Sequence, residues 1–185
     1  GEPLLLDGVL DQVKQDWRAD VGDENTRPAW FGDAVDAVAG EIMRRINAAA
    51  AVTPVNLLSV ALLSAPRQAL LENDLERQLQ LYIDLLREFP SSPDVSVAAA
   101  DGASIIQRGE QMGMLERRKH PLGDVLRMVE QNAVLATYYR NNVLHLFALP
   151  SLVACAFLNN PAMRHEDIQR LVWRVYPYIR AELFL

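Results

Sequence analysis

The sequence predicts a mainly α protein, a multi-helix domain carrying one small β-hairpin. Three observations lead there. Apolar residues recur at steps of three and four along most of the 185 positions. Helix start and stop residues bracket those runs, with Thr53, Pro54 and Asp101 ahead of them and Pro90 and Gly113 behind. Only residues 114–129 read otherwise. There MLERRK and DVLRMV are two short runs separated by His120, Pro121, Leu122 and Gly123, the composition of a hairpin with a longer turn.

Residues 1–20 open on an extended GEPLLL, after which Val9, Leu10, Val13 and Trp17 fall at helical spacing and give a short amphipathic helix. Residues 21–27 are polar, contain Gly22, Asp23 and Asn25, and are the best candidate for a domain boundary or connection. From Pro28 onward Val35, Val38, Ala39, Ile42 and Ile46 form one stripe, while Asp33, Asp36, Glu41 and Arg45 take the other face. The acids lie early and the arginines late, the order a helix dipole favours. Thr53 and Pro54 cap and open a nearly all-apolar helix at 55–63, expected to be buried on most sides. Glu72 or Asn73 starts the next helix, in which Leu75, Leu79, Tyr82 and Leu86 recur until Pro90 closes it. Residues 91–100 read as a loop. Asp101 caps a short helix that runs through Ile105 and Ile106 to Met112.

Residues 133–147 read as one helix, with Val134, Tyr138, Asn141 and His145 sharing a stripe. Pro150 lacks an amide donor and biases Leu149 away from the α region, so it is expected to break or kink that helix and send a second one, 151–158, off at an angle. The last stripe, Ile168, Leu171, Val172, Val175 and Ile179, is expected to bend at Pro177. No internal repeat, low-complexity tract, heptad run or block of like charge interrupts this pattern.

Composition excludes several classes of function. Half the residues are apolar, ample for a core, and 18 basic against 24 acidic residues leave a formal charge of −6, the wrong sign for holding a nucleic-acid backbone. The one cysteine, Cys155, cannot form an internal disulfide and is expected to be a buried structural thiol, with the cytosol as default compartment. His120, His145 and His165 are far apart and none has a second ligand at metal spacing; no glycine-rich phosphate cradle and no Gly-x-Ser-x-Gly is present. No metal, cofactor or catalytic residue is therefore expected in this chain. His120 and Asp124 flank a turn and have the residue types of a base and its orienter, but turns attract these types anyway and a polar hairpin loop is the better reading. The longest uncharged run, 141–161, holds His145, Pro150, Asn159 and Asn160, and its apolar part falls short of the roughly 20 residues a spanning helix needs. A buried helical hairpin is expected there, with a membrane-surface contact as the second reading. The chain starts without methionine or signal segment and stops inside a helical pattern, so both ends read as cuts in something longer.

One cluster stands apart from the core pattern: Tyr138, Tyr139, Arg140, Asn141, Asn142 and His145, directly before the most apolar part of the chain. Burying an arginine or histidine there requires partners, since an unpaired polar group costs about 1–3 kcal/mol and a charge more. Two accounts compete. The cluster anchors this helix to a neighbouring domain through carbonyls or carboxylates, or it lines a site for an anion such as a phosphate. A lone Arg-His pair is a weak binding motif, which favours anchoring.

At this cluster the sequence becomes recognisable. TYYRNNVLHLFALPSL at 137–152, with AELFL at 181–185, closely resembles the carboxy-terminal region of the bacterial membrane-bound glycerol-3-phosphate acyltransferases. GEPLLL at 1–6, the pair Asp16 and Trp17, RPAW at 27–30, RINAAAAVTPVNLLSVALL at 45–63, QLQLYIDLLREFP at 78–90 and LGDVL at 122–126 resemble that family in the same order. The resemblance covers essentially the whole chain. It implies transfer of a fatty acyl group from acyl-CoA or acyl-carrier protein to the sn-1 hydroxyl of glycerol 3-phosphate, the first committed step of phospholipid synthesis. The parent enzyme would be peripheral, at the cytoplasmic face of the inner membrane. The family's general base is the histidine of a His-x4-Asp motif, oriented by its aspartate. Here Val125, Pro150 and Arg170 stand five residues after His120, His145 and His165, so no catalytic residue carries over.

In the family the catalytic blocks precede GEPLLL. By this resemblance residues 1–26 are the tail of an upstream acyltransferase domain and a connection, and 27–185 are a helical carboxy-terminal domain with the hairpin near 114–129. Its expected partner is that upstream domain, with Arg140, Asn141, Asn142 and His145 docking against it; alone, the chain is expected to be soluble and inactive. Two other readings rest on the residues alone. Helices at 55–63, 73–87 and 103–112 followed by a hairpin have the order of a winged-helix module, but its recognition helix offers only Arg108 as a cation, beside Asp101 and Glu110. That suits a protein-docking wing and no nucleic acid. The apolar stretch 144–158 also suits a membrane-surface module, though it lacks flanking lysine or arginine to grip anionic lipid.

Overall fold

The computed structural model describes residues 3–15, 17–19, 27–158 and 160–183. It divides into two units, residues 1–47 with 184–185, and residues 48–183. In the first, helix α1 (Leu6–Val13) is followed by a 3₁₀ turn, Trp17–Ala19, and the Trp17 indole N–H donates to Asp11 Oδ1 at 3.0 Å. The polar boundary expected over 21–27 lies almost wholly outside the described residues. Helix α2 (Phe31–Ala48) follows the expected stripe, yet Val35, Ile42 and Ile46 are exposed and Ala34 is its one buried residue among those described. On the polar face Glu41 accepts from Arg44 at 2.7 Å and from Arg45 at 2.8 Å, which holds its carboxyl down to about 2.

The second unit is built around helix α3 (Pro54–Ser64), in which every residue from Val55 to Leu62 is buried. An all-apolar helix has no face to offer water, so it becomes the element others pack against. Asn56 and Ser59 are its buried polar residues, and the Ser59 hydroxyl donates to the Val55 carbonyl at 2.7 Å. Asn56 is 4% exposed, accepts from the Thr53 amide at 2.8 Å at the helix start expected of Thr53 and Pro54, and donates from Nδ2 to the Tyr139 carbonyl at 2.8 Å. Helix α4 (Glu72–Glu88) buries Leu75, Leu79, Ile83 and Leu86, and helix α5 (Gly102–Gln111) buries Ile105 and Ile106. Asp101 caps α5 as expected, its carboxylate accepting from the Ser104 amide at 2.8 Å. Gly102 meets α4 so closely that a methyl group there would collide with the Glu76 carbonyl.

The predicted hairpin is present as β4 (Leu115–Arg118) and β5 (Val125–Met128), antiparallel, with Leu115 opposite Met128. Two features of the strands go beyond expectation. Residues 69–71 form a strand, β2 (Ala69–Leu71), that pairs antiparallel with β5 and makes a three-stranded sheet of order β2-β5-β4. Part of the 91–100 loop is a strand as well, β3 (Ser96–Val97), pairing in parallel with β1 (Ala51–Val52). Taken in order, α3, β2, α4, α5, β4 and β5 have the winged-helix sequence of elements. Arg117 clamps this module: it meets Glu72 at 2.6 Å, Glu110 at 2.8 Å and Asp124 at 3.1 Å, tying the start of α4 and the end of α5 to the hairpin. These three carboxylates hold its guanidinium even more firmly charged than usual, the bonds from Glu72 contributing most.

Helix α6 (Ala133–Asn141) packs on α3, and α7 (Leu144–Phe157) packs on α8 (His165–Leu183). Here two expectations are corrected. Residues 133–147 are not one helix, because the chain turns at Asn142 and Val143, and α7 does not break at Pro150, which lies inside it. Two asparagines followed by a β-branched valine are weak helix formers, and burying Val143 to 1% exposure rewards the turn. Proline forfeits one intrahelical bond but need not end a helix whose apolar side chains are packed. The other correction is Cys155, expected buried and found exposed, because only Leu146 and Phe147 of α7 are buried and the later part of the helix is less covered. The last stripe does face the protein: Ile168, Leu171, Val172, Val175 and Ile179 are all half-buried, and Pro177 lies inside α8.

Candidate functional site: the α6–α7 turn and its groove

The polar cluster picked out from the sequence sits where α6 gives way to α7. The turn splits it into two faces. Tyr138 is 65% exposed and belongs with Val134, 85% exposed, and Leu135, 50% exposed, on the outward side of α6. Asn141 and Asn142 are also exposed, and Tyr138 and Tyr139 meet edge to face with ring centroids 6.3 Å apart. Ala136 and Val143 point into the core. The Tyr139 carbonyl, in the last turn of α6 where helical carbonyls lose their intrahelical donors, is the one that accepts from Asn56. His145 is half-buried on α7.

Arg140 lies on another side of α6, half-buried, and lines a groove of about 390 Å³. Val60 and Leu63 from α3 and Leu144 and Phe147 from α7 form its apolar walls, with Tyr82 of α4 beside them. The Tyr82 and Phe147 rings pack with centroids 5.0 Å apart, and the Tyr82 hydroxyl accepts from Gln78 Nε2 at 2.6 Å. The Arg140 guanidinium donates to the Asn141 amide oxygen at 3.2 Å from Nε and 3.0 Å from Nη2, and forms no ion pair among the described residues. The structure thus brings Arg140 and Asn141 together and leaves Tyr138 and Asn142 facing outward. Neither Asn56 nor Tyr82 is legible from sequence as a neighbour of the cluster, because both are far from it along the chain and each occupies an ordinary helical position.

The other sequence candidates resolve without chemistry. His120 accepts the Leu122 amide through Nδ1 at 3.2 Å while Asp124 bonds Arg117, so the two form the polar hairpin loop and not a base with its orienter. Among the described residues no group of three histidines, cysteines or acids could hold a metal ion, and no helix is long and apolar enough to cross a membrane.

The family model of the glycerol-3-phosphate acyltransferase C-terminal region matches residues 1–185. This chain belongs to that family. It is 47% identical over 186 residues to the glycerol-3-phosphate acyltransferase of Pseudomonas paraeruginosa, 44% identical over 185 to that of Pseudomonas fluorescens, and 46% identical over 185 to that of Xylella fastidiosa. All of this chain is covered in each case, against 22%, 22% and 21% of the relative. The glycerol-3-phosphate acyltransferase region therefore spans about a fifth of the length of the curated relatives it matches. No solved structure matches it.

Proposed function

We propose that this chain is the carboxy-terminal part of a glycerol-3-phosphate 1-O-acyltransferase and acts by supporting a catalytic domain that lies upstream. The parent transfers an acyl group from acyl-CoA or acyl-carrier protein to glycerol 3-phosphate, the first step of phospholipid synthesis, as a peripheral protein at the cytoplasmic face of the inner membrane. One observation carries this reading: all 185 residues match relatives named for that activity while spanning 22% of the first of them.

Support means docking. Val134 and Tyr138 sit one helical turn apart on α6, exposed and large, beside Leu135. A patch of this kind is normally covered by a partner. The rest of the polypeptide, most of the length of the relatives, is the occupant to which it is assigned. The winged-helix order of α3 to β5 suits the same role, as such modules dock protein, and α5 offers only Arg108, already bonded to Gln111, as a cation. Residues 27–185 then form the supporting domain, and 1–26 the tail of the catalytic domain and the connection to it.

The test is Tyr138→Asp combined with Val134→Asp in the full-length enzyme. Both side chains are exposed here, so the isolated chain keeps its thermal stability, whereas the parent loses stability and at least half of its acyl transfer. Unchanged activity and unchanged melting of the parent would rule this face out as the docking surface.

A further inference from the structure

The groove beside α6 is not accounted for by docking. Its volume, about 390 Å³, is in the range of small-molecule sites, and its walls come from three different parts of the chain, α3, α4 and the α6–α7 turn. Its chemistry is two-sided. Val60, Leu63, Leu144 and Phe147 give an apolar slot, and Arg140 puts a guanidinium against it.

The partners of that guanidinium bear on what the groove can hold. Arg87 and Arg108 meet neutral oxygens, of Ala99, Ala100 and Gln111, while other arginines meet acids: Arg117 meets three, Arg44 and Arg45 share Glu41, and Arg77 meets Asp74 at 2.6 Å. Arg140 instead leans on a neutral amide oxygen, two bonds to Asn141, and its positive charge has no carboxylate opposite it among the described residues. A half-buried cation on an apolar wall is stabilised most by an anion that brings an apolar body with it. Tyr82 adds a donor, because its hydroxyl oxygen accepts from Gln78 and its own proton remains to be given.

We infer that the groove between α3, α4, α6 and α7 is a binding site for a single-chain anionic amphiphile, a long-chain carboxylate whose head meets Arg140 and whose chain lies along Leu63, Leu144 and Phe147. Occupancy of the groove does not depend on whether Tyr138 meets an upstream domain. The same chemistry has two sources, a monomer free in water and an anionic lipid in a bilayer, and the experiment separates them.

The 185-residue chain is titrated with laurate below its micelle concentration by calorimetry, alongside dodecanol, the uncharged counterpart of the same length. Saturable one-to-one binding is expected, with laurate at least tenfold tighter than dodecanol. Arg140→Gln should weaken laurate about tenfold and leave dodecanol unchanged, and Ser151→Trp, at an exposed rim position, should block both. Circular dichroism melts report whether each variant is folded. Should Arg140→Gln not fold, the wild-type preference for laurate and the Ser151→Trp block still decide the matter. Equal affinity for laurate and dodecanol, or unsaturable uptake, overturns the inference. So does flotation of the chain with phosphatidylglycerol vesicles that Ser151→Trp leaves intact, since the anion would then be read at a bilayer and not in the groove.

Discussion

Asn56 is the residue on which the second unit turns. Set in a nearly all-apolar helix, it satisfies the Thr53 amide, and its own amide group reaches across to the end of α6. Replacing it with alanine leaves a buried amide and a helix-terminal carbonyl without partners, at a cost of about 1–3 kcal/mol. Asn56→Ala is therefore expected to lower the thermal midpoint by several degrees, with the loss of hydrogen-exchange protection concentrated in α6; protection lost evenly across the chain would contradict this account. Sequence marks Thr53 and Pro54 as the start of this helix and says nothing of Asn56, because a bond to a carbonyl 83 positions away has no local signature. Cys155 failed for a related reason. An apolar stretch says that burial is favourable, and whether enough neighbours exist to bury it is decided by packing. Thr53 and Asp101, whose work is local, were legible at once.

Among elements, the strong helices and the hairpin could be read because periodicity and turn residues fix them within a few positions. Strands of two or three residues such as β1, β2 and β3 carry no period, and exist because a partner strand is within reach. Pro150 and Asn142 show the competition between local preference and packing. Pro150 was expected to break or kink a helix and lies inside one, while the weaker pair Asn141 and Asn142 marks the break between α6 and α7. Arg117 is where elements are joined by charge. Three partly exposed pairs, each contributing a few tenths to one kcal/mol, suggest that Arg117→Met costs about 1–2 kcal/mol, more at low salt than at high. Chemical denaturation at 50 mM and 500 mM salt measures this, and a cost independent of salt would mean that packing of the arginine stem, and not its charge, does the joining.

For the molecule as a whole, the chain has a thorough core around α3 together with large apolar side chains left in water: Val35 and Ile46 on α2, Val134 and Tyr138 on α6, Trp173 and Tyr178 on α8. A domain that evolved alone rarely keeps so many. The family match supplies a reason, since the relatives carry several times this length of chain. On the proposed reading, the groove at Arg140 takes the cluster's anion role and the outward face of α6 its docking role. The most direct measurement is acyl transfer from palmitoyl-CoA to glycerol 3-phosphate by the parent enzyme, by the parent lacking these 185 residues, and by this chain alone. The account predicts transfer only by the intact parent. Full activity in the shortened parent, or any transfer by the isolated chain, would contradict it.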